Sequence, residues 1–135
     1  MQDRPDAPEL LEAVRAFLDE QVVPALEGTK QFHARVAVNV LAIVAREIVH
    51  GEHLLRAEWR RLVELLGRPS LNAPASEETL RAAVRELNAA LAERIRAGAA
   101  DDGSWGAAVL AHLRATATER LAIANPKYAE PRRVG

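Results

Sequence analysis

The chain contains no cysteine among its 135 residues. That excludes a disulfide framework, a thiolate metal site and a cysteine nucleophile, and it fits a reducing compartment. Aromatic residues are nearly as scarce: Phe17, Phe32, Trp59, Trp105 and Tyr128 are all there are. Five scattered rings do not make the stacking platforms that single-stranded nucleic acid requires. Charge of one sign is lacking too. The formal net charge is -1 and no basic block dominates, so no nucleic-acid partner is expected. No long hydrophobic run exists either. The most apolar stretch, Val36 to Val44, falls far short of the roughly 20 residues of a membrane span, and Arg35, Asn39 and Arg46 interrupt the wider window. The N-terminus, MQDRPDAPEL, has no apolar signal core. A cytoplasmic chain with no membrane partner is expected.

What is present is helical patterning. The hydrophobic fraction of 49% is rich in alanine. A chain of this length holds one domain, and residues 1–128 are expected to form it, with a flexible tail over 129–135. Asp6 and Glu9 are spaced as a capping box, and Leu10, Leu11, Val14, Phe17, Leu18 and Val22 follow helical spacing to a stop before Pro24. Thr29 is placed to cap a second segment that ends at Gly51. A third runs over Glu52 to Leu66 and stops at Gly67 and Pro69, unless Gly51 is tolerated inside one long helix. Ser76 caps a fourth segment, with Leu80, Val84, Leu87, Leu91 and Ile95 on one stripe and Gly98 at its end. A fifth starts at Asp101, Asp102 or Ser104, carries Trp105, Val109, Leu113 and Leu121, and ends at Asn125-Pro126. No run alternates like a strand. The predicted fold is all-α, an antiparallel bundle of four to five helices.

The second segment is the least ordinary. At 100° per residue, Arg35, Asn39, Arg46 and His50 fall on one narrow stripe, and apolar residues cover most of the rest. Such a helix is expected at the centre of the bundle, with Val40 and Val44 buried. His33 sits within the apolar face and reads as a core histidine. His33, Arg35, Asn39 and Arg46 are the candidate ligand-binding residues, because paired guanidinium groups beside an amide suit a carboxylate or phosphate. The competing reading makes the arginines structural and has Asn39 and Arg35 pin a loop or the Asn125–Tyr128 segment through backbone carbonyls.

Other signals are weaker. EIVHGEH holds one Glu-x-x-His step, Glu47 to His50, but a di-iron bundle needs two steps and further glutamates, so no metal and no cofactor are expected. His112 has no visible ligand partner. Glu52–Arg56 and Arg60–Glu64 are spaced for exposed ion pairs, and the charges of the third segment, Arg61 among them, and of the fourth read as solvated faces. Gly98, Gly103 and Gly106 lack the strand and the Gly-Lys-Ser/Thr of a phosphate loop. The first and third segments carry apolar residues on more than one face, which points to a second buried surface and a homodimer.

RPDAPELLEAVRAFL, FHARVAVNVLAIVARE, the LN..L..RIRAG of the fourth segment and LRATATERLAIANPKY together resemble a bacterial family of small helical domains of unknown function. The most specific parts are Phe32-His33-Ala34-Arg35 with Asn39, and Asn125-Pro126-x-Tyr128; the resemblance spans about Arg4 to Tyr128. Members occur alone, or fused or adjacent to aminoglycoside-phosphotransferase-like kinases, and near acyl-CoA dehydrogenases. The resemblance implies a non-catalytic accessory role beside such a kinase-like or dehydrogenase-like partner. The kinase motifs themselves are absent from this chain. The alternative is a small anion-binding protein or enzyme that uses a cleft beside the second segment.

Overall fold

The computed structural model describes residues 3–129; apart from Ala129, the expected tail lies outside them. Five α-helices and no strand occur among the described residues. They are α1 (Ala7–Phe17), α2 (Gly28–Leu65), α3 (Glu77–Arg96), α4 (Gly103–Ala124) and the single turn α5 (Pro126–Ala129). The fold is an all-α helical bundle. Ala129, assigned from sequence to the tail, closes α5.

Local signals account for most of the boundaries. The Asp6 carboxylate accepts from the Glu9 N–H at 2.9 Å, and Glu9 accepts from the Asp6 N–H at 2.8 Å, completing the capping box. Ser76 Oγ accepts from the Thr79 N–H and starts α3. Both α2 and α3 end in paired reverse hydrogen bonds, Gly67 to Glu64 and Arg68 to Val63, then Gly98 to Ile95 and Ala99 to Arg94. These Schellman closures need a left-handed residue just past the helix, and Gly67 and Gly98 supply it at φ 69° and 88°.

Three boundaries differ from the sequence expectation. After α1 the chain stays helical through a π turn, Leu18–Val22, and a short 3-10 turn, Val23–Ala25. Val23 keeps helical angles although it precedes Pro24, and the ladder changes type where proline's missing N–H falls. Gly28 turns into α2 at φ 61°, so Thr29 lies inside the helix and does not cap it. The second and third segments are one helix. Gly51 lies within α2 with no positive φ, and the Glu47 side chain packs over it: an added Cβ would meet Glu47 Oε1 at 2.8 Å.

The chain divides into two compact units, Met1–Gly51 and Glu52–Gly135. In the C-terminal unit, Trp59, Leu62 and Val63 of α2 and Leu66 just past its end meet Leu80, Val84, Leu87 and Leu91 of α3 and Val109 of α4. The α3 residues recur at steps of four, three and four, one helical face buried along its length. The short turn after α3 gives an antiparallel neighbour, α4. The longer 67–75 connection instead brings the chain back along α2. Arg56 donates to the Pro74 and Ala75 carbonyls at the start of α3, and Arg94 near its end reaches the Leu66 carbonyl, so α3 follows the direction of α2. Of the apolar residues carried by α4, Leu113 and Leu121 are exposed, while the polar His112 is buried.

The N-terminal unit is α1, the 18–25 turns and the first half of α2, tied by Gln31 Nε2 donating to the Val23 carbonyl at 3.1 Å. Among the described residues, Val23 is the one buried hydrophobic residue of this unit, against nine in the other. The expectation of a central, buried second helix is therefore corrected. Val40 is 49% exposed and Val44 40%. Ala34, Val38, Leu41, Ala42 and Ala45 are half-buried along one stripe.

Candidate functional site

Two arrangements stand out, one in each unit. In the N-terminal unit, Arg35, Asn39 and Arg46 of α2 line a common groove of about 470 Å³ with Val38, Ala42 and Ala45, and α1 adds Glu12 and Arg15. The helical period brings positions 35, 39 and 46 to one side, as the sequence indicates. The electrostatics are mixed. Arg15 holds Glu12 bidentately at 2.6 and 2.8 Å and lies 3.6 Å from Asp19. The Arg15 hydrogen bond pulls the Glu12 carboxyl below the usual carboxylate range. Arg35 has no ion pair among the described residues, and the groove keeps a cationic side there.

His33 does not join this group. It is exposed, its ring tilted against Phe32 at 5.8 Å between centroids, so it is not a core histidine. Asn39 is also exposed and makes no hydrogen bond among the described residues, which removes the reading in which it pins a loop or the chain terminus. The physical reason is the uncovered side of α2: an amide there keeps its water and needs no protein partner. His50 and His53 are exposed on the same continuous helix, and no group of three metal-ligating side chains forms among the described residues.

The C-terminal unit holds a polar network that the sequence reading missed. The Arg61 guanidinium meets both Glu119 oxygens at 2.7 Å, donates to Thr116 Oγ1 at 3.1 Å, and donates through Nε to His112 Nδ1 at 3.2 Å. Beside it, the buried Glu58 accepts from Asn88 at 3.1 Å and lies 3.7 Å from Arg120. Arg61, read from sequence as part of a solvated face, is held across the helix interface instead. No Arg60–Glu64 pair forms among the described residues, whereas Glu52–Arg56 closes at 2.8 Å. The only sequence trace of the network is the spacing of His112, Thr116 and Glu119 on one face of α4. Burial, then the Arg61 charge, pushes the His112 imidazole below its ordinary value of 6.5, so it is neutral near pH 7. Glu119 holds the Arg61 guanidinium above its own.

Neither arrangement places a nucleophile beside a base. Gly98 and Gly103 serve backbone turns with positive φ, and Gly106 lets α4 approach the Ala100 carbonyl, where a side chain would collide. No described helix is long and apolar enough to cross a membrane.

No curated protein and no solved structure matches this chain. A family match covers the chain from Pro24 to Tyr128, which takes in α2, α3, α4 and the network of Arg61, and leaves out α1. On that span the chain belongs to the family described as a domain of unknown function, DUF6285.

Proposed function

We propose that this chain is a non-catalytic interaction module that docks on protein through the N-terminal unit. The observation that supports the reading is an uncovered apolar row. Phe32, Val36, Val40, Val44 and Ile48 recur every fourth residue along α2, and all are exposed; Leu10, Val14 and Phe17, at steps of four and three on α1, are exposed too. Isolated exposed hydrophobic residues are ordinary, but ordered rows on two adjoining helices mark a surface that another protein covers. A unit with one buried hydrophobic residue among those described gains its missing core from that cover. The first occupant is a second copy of the chain, forming a homodimer. The partner beyond it is the kinase-like or acyl-CoA-dehydrogenase-like protein that the sequence resemblance implies, in a cytoplasmic setting.

Val40→Lys tests this. Val40 is half exposed, so the change costs stability within about 0.5 kcal/mol. It puts a charge in the middle of the row, where burial by a partner becomes costly. Affinity purification from the native cells is expected to retain a kinase-like or dehydrogenase-like protein with the parent chain and to lose it with Val40→Lys. Equal recovery with both chains counts against the reading.

Convergence of Arg35, Asn39 and Arg46 on one groove favours a second reading, an anion site beside α2. Titration calorimetry with inorganic phosphate is its test. Saturable heat that disappears in Arg35→Ala supports it, and an absence of heat at millimolar phosphate rejects it.

A further inference from the structure

The C-terminal unit contains a groove that the interaction reading does not use. It measures about 440 Å³ and lies between α2 and α4, lined by Arg61, Glu64 and Leu65 on one side and Trp105, Ala108, Ala111 and His112 on the other. Two alanines hollow it, Leu65 and Trp105 give it apolar walls, and its volume is in the range of sites for small molecules. Trp105 is fixed in place by its indole N–H, which donates to the Leu65 carbonyl at 2.9 Å.

Chemistry assigns the hydrogens at His112. A guanidinium can only donate, so the Arg61 Nε contact makes Nδ1 the acceptor and leaves the ring proton on Nε2. His112 is 4% exposed, and its Nε2–H has no partner among the described residues. Among the described residues no buried side-chain nitrogen or oxygen is sealed off without a partner, so Nε2 keeps contact with accessible space, and His112 is one of the residues that line the groove. An N–H donor in a mostly buried ring calls for an acceptor from outside the chain. Charge narrows the choice. Among the residues that line the groove the one cation, Arg61, is neutralised by Glu119, so the lining offers no unpaired cation to an anion. At its edge Glu64 is exposed, without an ion pair among the described residues, and it repels a carboxylate while accepting an N–H.

We propose that this groove binds a small neutral aromatic amide, with its carbonyl oxygen accepting from His112 Nε2–H, its N–H directed to Glu64 and its ring against Trp105 and Ala108. The site lies wholly within the C-terminal unit and stands or falls apart from the interaction reading.

Benzamide is the probe, titrated into the full chain and followed in proton–nitrogen correlation spectra. The two indole N–H signals serve as internal controls for each other, because Trp59 is buried in the core and does not line the groove. Saturable shifts are expected at the Trp105 indole and the His112 ring, with Trp59 unmoved. Benzoate, which differs by its charge, should bind at least about tenfold more weakly. Ala108→Leu fills the groove from α4 and leaves Arg61, Thr116 and Glu119 themselves unsubstituted. It should leave the thermal midpoint in place and weaken benzamide by about tenfold or more. Three results overturn the proposal: no saturable Trp105 shift up to the solubility limit of benzamide, benzoate binding as well as benzamide, or an unchanged titration in a folded Ala108→Leu chain.

Discussion

Leu80→Ala is expected to destabilise the C-terminal unit by about 3–5 kcal/mol and to lower its melting temperature by roughly 12–20 °C. Leu80 is fully buried on α3 and belongs to the cluster that joins α2, α3 and α4. Removing its branched end loses the transfer free energy of those carbons and leaves a cavity that surrounding helices cannot fully close. Leu113→Ala is the control. Leu113 is 47% exposed on α4, and its truncation should cost less than about 1 kcal/mol. Thermal unfolding followed by circular dichroism checks both. A Leu80→Ala midpoint within about 3 °C of the parent would contradict the assigned core.

Arg61→Ala is expected to cost about 2–3 kcal/mol, or roughly 8–12 °C. The loss is larger than that of a surface ion pair, since one side chain satisfies Glu119, Thr116 and His112 together. Its removal leaves a partly buried carboxylate and an imidazole nitrogen without their donor. The same network has a pH signature. His112 is held below 6.5 in the folded chain, mainly by burial and secondly by Arg61, so the unfolded chain binds the proton more readily. Its contribution to stability is therefore present above 6.5 and is lost as pH falls from there through the lowered folded value. Protonation would also turn the Nδ1 acceptor into a donor facing the Arg61 guanidinium. Urea unfolding above and below this window should show the parent losing stability on the acid side, and His112→Gln losing less. A parent with equal stability at both would contradict the buried, neutral assignment.

The local signals in the sequence were legible because they act over three or four residues. Asp6 with Glu9, Ser76, Gly67 and Gly98 each sit where a cap or stop was expected, and the α3 stripe from Leu80 to Leu91 is the one that is buried. What could not be read depends on distant partners. Arg61 meets residues 51 to 58 positions away, so its i,i+4 surroundings suggested only a solvated face. Periodicity gave the apolar surface of α2 correctly but could not say how much of it the chain would cover, and Val36, Val40, Val44 and Ile48 lie exposed as a result. Gly51 looked like a stop, yet without a positive φ it costs a helix only about 1 kcal/mol, and α2 continues through it. Of the candidate binding residues, Arg35, Asn39 and Arg46 do share a groove because they share a helical face; His33, two residues from Arg35, faces elsewhere.

Light scattering coupled to gel filtration, at tens of micromolar, tests most directly whether the exposed row on α2 is a protein-binding surface that first takes a second copy. The account predicts a mass of twice the 14.7 kDa chain for the parent and a single-chain mass for Val40→Lys. A parent that elutes with the mass of one chain, indistinguishable from Val40→Lys, would contradict it.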